Sequence, residues 1–550
     1  HSRDPKHMLE HYFKDRSLRE LESRLPGDLV PVRQEVSDFL AQDPANPHAL
    51  WILARCHVLA EDFGEAQSAL EDLLDHEPGN VRAKMDLSKI LARDGATRAS
   101  IRLLTEVTND RPDIADVWVM LGEQLKAEGH EEAAQDAFKQ FSMIKGFNDQ
   151  LDAARQAFAK ADFKAADGMC RKLLQLVPNE IRVLRLLARI ADRFQYFEFS
   201  TSTLATCVEA RPEDAALRLE YAYALLRNRK YQEALEQCDK VIDLAPERID
   251  AYDLEAELLY HLGRYDEAIP IYRELAGVPE KRALSLLHLG KVLKTVGEVD
   301  EATSCYRQAT ELEPGLGRSY WELADLKTYR FSADEVASMR ELLEKDDTPP
   351  LDKVMIEFAL GKALEDGGDY AESFQHYEAA NRGYLQVRPF RYTSQIDRFK
   401  SFFTADYFAD RKDAGIDTAA PIFVVGMPRS GSTLAEQILS CHSLVDATQE
   451  LDEIVSIARH IGNPAGTAPG EYPEAMAELS AADVRGLAQR YLDFVHGYRQ
   501  DAPYFVDKAP HNFQHIGLIK TLLPDAKIVD IRRDPMASGW SLFRQFFAES

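Results

Sequence analysis

Residues 246–279 read PERIDAYDLEAELLYHLGRYDEAIPIYRELAGVP. Two small residues, Ala256 and Ala268, follow Pro246, and a bulky Tyr272 comes four positions after the second. Small residues at such places let two antiparallel helices approach closely, while the large one fills the gap between them. The proline then ends the second helix. GRYDEA at 263–268 reads as the turn and the start of the second helix.

The same spacing runs along most of the chain. Prolines recur at Pro44, Pro78, Pro112, Pro178, Pro212, Pro246 and Pro314, at a step of 34 residues or twice that, with one double step shortened to 66. The first small position is Ala54, Ser88, Gly122, Ala188, Ala222 and Ala324, and the second is Ala66, Ser100, Ala134, Ser200, Ala234 and Ala302. Leu70, Leu104, Phe138, Cys170, Leu204, Cys238 and Tyr306 take the large position. A fixed period of this length marks a repeat architecture. The 66 residues from Pro112 to Pro178 are read as two units, with Gly146 where a proline would fall. The unit 147–178 is short by two, and 315–348 lacks a clear second small position; both are read as degenerate sequence.

These residues resemble the tetratricopeptide repeat (TPR) over about residues 45–382, as ten helical hairpins. The resemblance implies an all-α, right-handed superhelix whose concave groove binds a protein or peptide. Residues 1–44 are read as a tag remnant, HSRDPKH ahead of Met8, and N-terminal helices, with no signal peptide following.

A chain of 550 residues is too long for one core, and its 45% apolar and 29% charged content is that of an ordered protein. The net charge of −26 argues against a general nucleic-acid binder, which needs a basic face. No stretch approaches the roughly 20 uncharged apolar residues of a membrane span. Six scattered cysteines without a CxxC pair indicate neither a metal site nor a disulfide framework, and a cytoplasmic location is expected. Residues 383–417 form a connecting segment whose aromatic and basic content predicts a packed helix, serving either to dock the two parts or to contact substrate.

At 421 the character changes. PIFVV (421–425) predicts a buried strand, and it runs into Gly426-Met427-Pro428-Arg429-Ser430-Gly431-Ser432-Thr433 and then a helix. Strand, glycine-bounded loop and helix aim backbone N–H groups at an anion, and Ser430, Ser432 and Thr433 add hydroxyl donors. Against G-x-x-x-x-G-K-[ST], the loop has Ser432 in place of the lysine, which disfavours an NTPase or kinase; Arg429 supplies the charge instead. A second strand from Tyr504 to Asp507 delivers Lys508. A third from Lys527 to Ile531 delivers Arg532 and Arg533, with Asp534-Pro535 as a helix start. In an open parallel sheet, ligands collect beyond the carboxyl ends of strands, so three strands ending in cations describe an anion pocket.

These motifs resemble the sulfotransferases that use 3′-phosphoadenosine 5′-phosphosulfate (PAPS), most closely the tyrosylprotein-sulfotransferase-like branch, over about residues 420–550, within a nucleotide-binding domain read as 418–550. The resemblance implies an α/β P-loop-like domain that needs no metal. It implies that Arg429, Ser430, Gly431, Ser432 and Thr433 bind the 5′-phosphosulfate, and that Arg533 and Ser541 bind the 3′-phosphate. It further implies Glu450 as catalytic base, with Lys508 and Arg429 stabilising the leaving 5′-phosphate. Glu436 and His442 are read as structural. Three strands are fewer than such a sheet usually has, so a longer natural protein is expected. The expected activity is transfer of a sulfuryl group to an acceptor hydroxyl, with the repeats recruiting a protein or peptide acceptor or mediating dimerisation. The alternative is a partner-binding scaffold with a degenerate nucleotide domain.

Overall fold

A computed structural model describes residues 5–388, 393–448, 450–462, 472–500 and 502–547. The N-terminal residues 1–4 and residues 389–392 of the connecting segment lie outside that set. The chain divides into two compact units, residues 1–190 with 200–255, and residues 191–199 with 256–550.

The first unit is a succession of paired helices, among them Pro47–Leu59 with Phe63–His76 and Val81–Arg93 with Thr97–Asp110. Several first helices start on a side-chain cap: Asn46, Asn80 and Asp214 accept from the amides of Ala49, Ala83 and Leu217. The repeat spacing has a direct steric meaning. A Cβ added at Gly122 would stand 2.7 Å from the Phe138 ring, so the ring sits where a larger residue would have put its side chain. Ala54, Ser88, Leu70 and Leu104 occupy the matching positions and are all buried.

The expected unit boundary at Gly146 is absent. One helix of 29 residues, Glu131–Ala159, runs through it and packs against Ala115–Ala127 before and Phe163–Leu176 after. A lone helical glycine costs only about 1 kcal/mol, and without a proline nothing stops the helix.

The second unit begins with the same pattern. Cβ atoms at Gly290 and Gly361 would meet the rings of Tyr306 and Tyr377 at 2.5 and 2.9 Å. The segment 315–348 departs from it. The nine-residue helix Gly317–Asp325 packs on Pro350–Gly367, while Ala333–Glu344 starts on its own capping box of Ser332 and Glu335. Gly317 permits the contact, because an added Cβ would fall 2.3 Å from the Asp352 carbonyl oxygen.

Two helices, Thr393–Phe402 and Ala405–Asp410, lead into a parallel sheet. Its strands are β1 (Pro421–Gly426), β2 (Val445–Ala447), β3 (Tyr504–Lys508) and β4 (Lys527–Ile531), in the order β2-β3-β1-β4. β2 was not expected from the sequence; its three residues present no apolar run. β1 is buried throughout, as a central strand covered on both faces must be. Phe423, Val425 and Phe505 pack with Tyr491, Ile454 and Leu518 on one face, and Ile422, Val424 and Val506 with Ala435 and Leu439 on the other. Five cysteines are buried and Cys441 is exposed, all of them free.

Candidate active site

The parallel topology puts the ends of β1, β3 and β4 on one edge, with Lys508 paired to Val424 and Ile531 to Gly426. After β1 the chain must turn sharply under β4. Gly426, at φ 145°, allows this, since a Cβ there would lie 2.6 Å from the Ile531 carbonyl oxygen. Arg429 also takes a positive φ of 65°, and Gly431, at 102°, caps the helix Ser432–Ser440. The first N–H groups of that helix have no intrahelical partner and open onto the loop. Ser430 is buried and its hydroxyl has no hydrogen-bond partner, while Ser432 is buried and Thr433 exposed. An unpartnered buried hydroxyl beside a helix N-terminus fits an anion.

Arg429, Arg533 and Ser541 come together. Arg429 Nε donates to Ser541 Oγ at 3.2 Å, and Arg533 Nη1 donates to the Arg429 carbonyl at 3.3 Å. Arg532 does not join them; it is exposed and pairs with Asp530 at 2.7 Å. Asp534 caps the helix Pro535–Phe543, which carries Ser541, by accepting from the Ala537 amide. The last helical hairpin holds that helix in turn. Asn381 donates to the Phe543 carbonyl at 2.8 Å, Arg544 pairs with Glu365, and Phe374 stacks on Phe543.

Across β1, Lys508 and Glu450 form an ion pair. The lysine is almost wholly enclosed, whereas the Glu450 side chain is 55% exposed. Glu436 lies 3.8 Å from the same ammonium, so one cation serves two carboxylates. Burial pushes the Glu436 carboxyl above its usual range, with Lys508 opposing. Glu436, read from the sequence as structural, is thus also in contact with Lys508. Its place in the first helix after the loop, on the turn facing β3, was the available signal of that contact.

Asp507 was missed. It is fully buried on the opposite face of β3 from Lys508, accepts 2.8 Å from Tyr491 Oη, and burial raises its carboxyl to about 7. Among the described residues no group of three or more His, Cys, Asp and Glu stands close enough to hold a metal.

Comparison with known proteins finds matches in both the helical and the sheet-bearing parts of the chain. Residues 421–550 match the sulfotransferase family, so a sulfotransferase-family domain occupies them. Residues 57–125 match the tetratricopeptide repeat, and 217–326 match the N-terminal TPR repeats region of psidin. An uncharacterized protein of Aquifex aeolicus is 32% identical over 305 residues, covering 54% of this chain and 39% of that protein. The chain thus spans well under half the length of that relative. DnaJ homolog subfamily C member 3 of Rattus norvegicus is 22% identical, covering 60% of this chain and 65% of that protein. Among solved structures, yeast Tom70 is 15% identical at a TM-score of 0.33, covering 69% of this chain and 92% of that one. Among the described residues, no helix is long and apolar enough to cross a membrane.

Proposed function

We propose that the chain transfers a sulfuryl group from PAPS to an acceptor hydroxyl, in the manner of the tyrosylprotein-sulfotransferase-like branch. The observation that carries this reading is the convergence of Arg429, Arg533 and Ser541 beside a loop whose buried Ser430 hydroxyl lacks a partner.

Bound there, PAPS supplies the sulfuryl group and a 5′-phosphate leaving group. The loop amides with Ser430, Ser432 and Thr433 hold the 5′-phosphosulfate, and Arg533 with Ser541 holds the 3′-phosphate. Glu450 accepts the acceptor's proton, an effect typically worth about 10²–10⁴ in rate. Its exposure supports this role, because an incoming hydroxyl can reach it. Lys508 and Arg429 offset charge developing on the leaving phosphate. Lys508 is paired with Glu450 here, and the same ammonium would serve both the base and the phosphate.

The helical repeats recruit a protein or peptide acceptor, or a second copy of the chain. A cytoplasmic location belongs to the same reading, supported by the free, mostly buried cysteines. Transfer of radiolabelled sulfate from PAPS to a panel of protein, peptide, glycan and small-molecule acceptors tests the proposal. Label transfer lost in Glu450→Ala supports it. Nucleotide binding without transfer to any acceptor class would refute it.

A further inference from the structure

Within the first unit, the hairpin Pro47–Leu59/Phe63–His76 and the following helix Val81–Arg93 line a cavity of about 660 Å³. That lies within the size range of ligand pockets, roughly 300–1,000 Å³. Four cations line it, Arg55, Arg82, Lys89 and Arg93, in a chain whose net charge is −26. Their neutralisation is partial. Glu22 is shared among His48 at 3.1 Å, Arg55 at 3.5 Å and Arg82 at 3.8 Å. Asp86 takes Lys89 at 2.8 Å and the Trp51 indole N–H at 3.2 Å. Arg93 has no ion-pair partner among the described residues; its guanidinium lies 3.5 Å over the Phe63 ring.

The aromatic faces are thus already occupied. Arg82 stands 3.4 Å and Arg55 4.8 Å from the Trp51 ring centroid. A planar base would have to displace these guanidiniums before it could stack. Aliphatic surface, by contrast, is open, with Val58 38% and Leu59 41% exposed in the same lining. Guanidiniums laid on rings keep their N–H edges available, and their rotamers are restricted before any ligand arrives.

We propose that this cavity binds an acidic peptide segment in which a large aliphatic side chain is flanked by carboxylates. The aliphatic group covers Val58 and Leu59, while the carboxylates pair with Arg93 and with the incompletely neutralised Arg55 and Arg82. This deepens, and rests on, the reading that the repeats recruit a protein partner.

The test is fluorescence anisotropy of the full chain with labelled peptides EDLLDE, KKLLKK and EDGGDE. EDLLDE binds best, and its affinity falls as salt is raised. Arg82→Glu combined with Arg93→Glu lowers it about tenfold or more, and the exposed single change Arg93→Ala lowers it several-fold. Affinity for adenosine 3′,5′-bisphosphate (PAP), read on the same variants, stays unchanged. Equal binding of KKLLKK or EDGGDE would overturn the assignment. EDLLDE binding untouched by both sets of substitutions would move the site elsewhere while leaving recruitment intact. Failure of all three peptides and of acceptor-derived segments would remove recruitment as well.

Discussion

Replacing Asp507 by Asn tests how the strand that delivers Lys508 is anchored. The carboxyl is fully buried, receives the Tyr491 hydroxyl at 2.8 Å, and is raised by burial from 3.8 to about 7. The folded state therefore holds the proton more tightly than the unfolded chain. The stability this contributes is full below the ordinary carboxylate value and is lost as pH rises to about 7. Three pK units correspond to about 4 kcal/mol. Between about pH 5 and about pH 7.5 the loss is on the order of 2–3 kcal/mol. The side-chain amide introduced by Asp507→Asn keeps the shape and an acceptor for Tyr491, with no proton to lose.

Native-state hydrogen exchange of peptides covering 504–508, corrected for the intrinsic pH dependence of exchange, reads this locally. Wild-type protection in β3 should fall about fifty- to a hundredfold over that range relative to Asp507→Asn. Glu436 and Glu453, also raised by burial, contribute slopes of the same sign in both proteins and cancel. Parallel pH profiles for the two proteins would refute the reasoning.

Three further outcomes follow from the site. Glu450→Ala should retain PAP affinity by calorimetry and lose about 10²–10⁴ in transfer rate; equal loss of binding would make Glu450 structural. Arg533→Ala should weaken PAP about 10- to 100-fold while leaving adenosine 5′-phosphosulfate nearly unchanged, because only PAP carries the 3′-phosphate. Asn381→Ala removes the amide bonded to the Phe543 carbonyl, so the helix carrying Ser541 loosens and PAP affinity falls about fivefold. Unchanged affinity would mean that Ser541 is held without help from the helical hairpin.

The helical-repeat and parallel-sheet classes were legible because each rests on local spacing. A small residue sixteen positions before a large one predicts where two helices touch, and Gly122 with Phe138 and Gly290 with Tyr306 meet in that way. The apolar run 421–425 flanked by a glycine loop likewise announces a central strand. What could not be read depends on packing across the chain. The helix Glu131–Ala159 spans two units because no breaker stands at the expected turn. β2 is too short to show a pattern, and its place is set by pairing with Tyr504–Val506.

At the site, spacing alone does not separate Arg532 from Arg533; only the family resemblance singles out Arg533. In the structure Asp530 takes the first, and the second reaches the loop carbonyl. Glu436 and Asp507 gain their altered titration from burial on opposite faces of the sheet, which no local spacing encodes.

The most direct test is calorimetric titration of the full chain with PAP. The account predicts a single saturable site of micromolar affinity, strongly weakened in both Arg429→Ala and Arg533→Ala. Absence of heat at millimolar PAP, or binding indifferent to both substitutions, would contradict it.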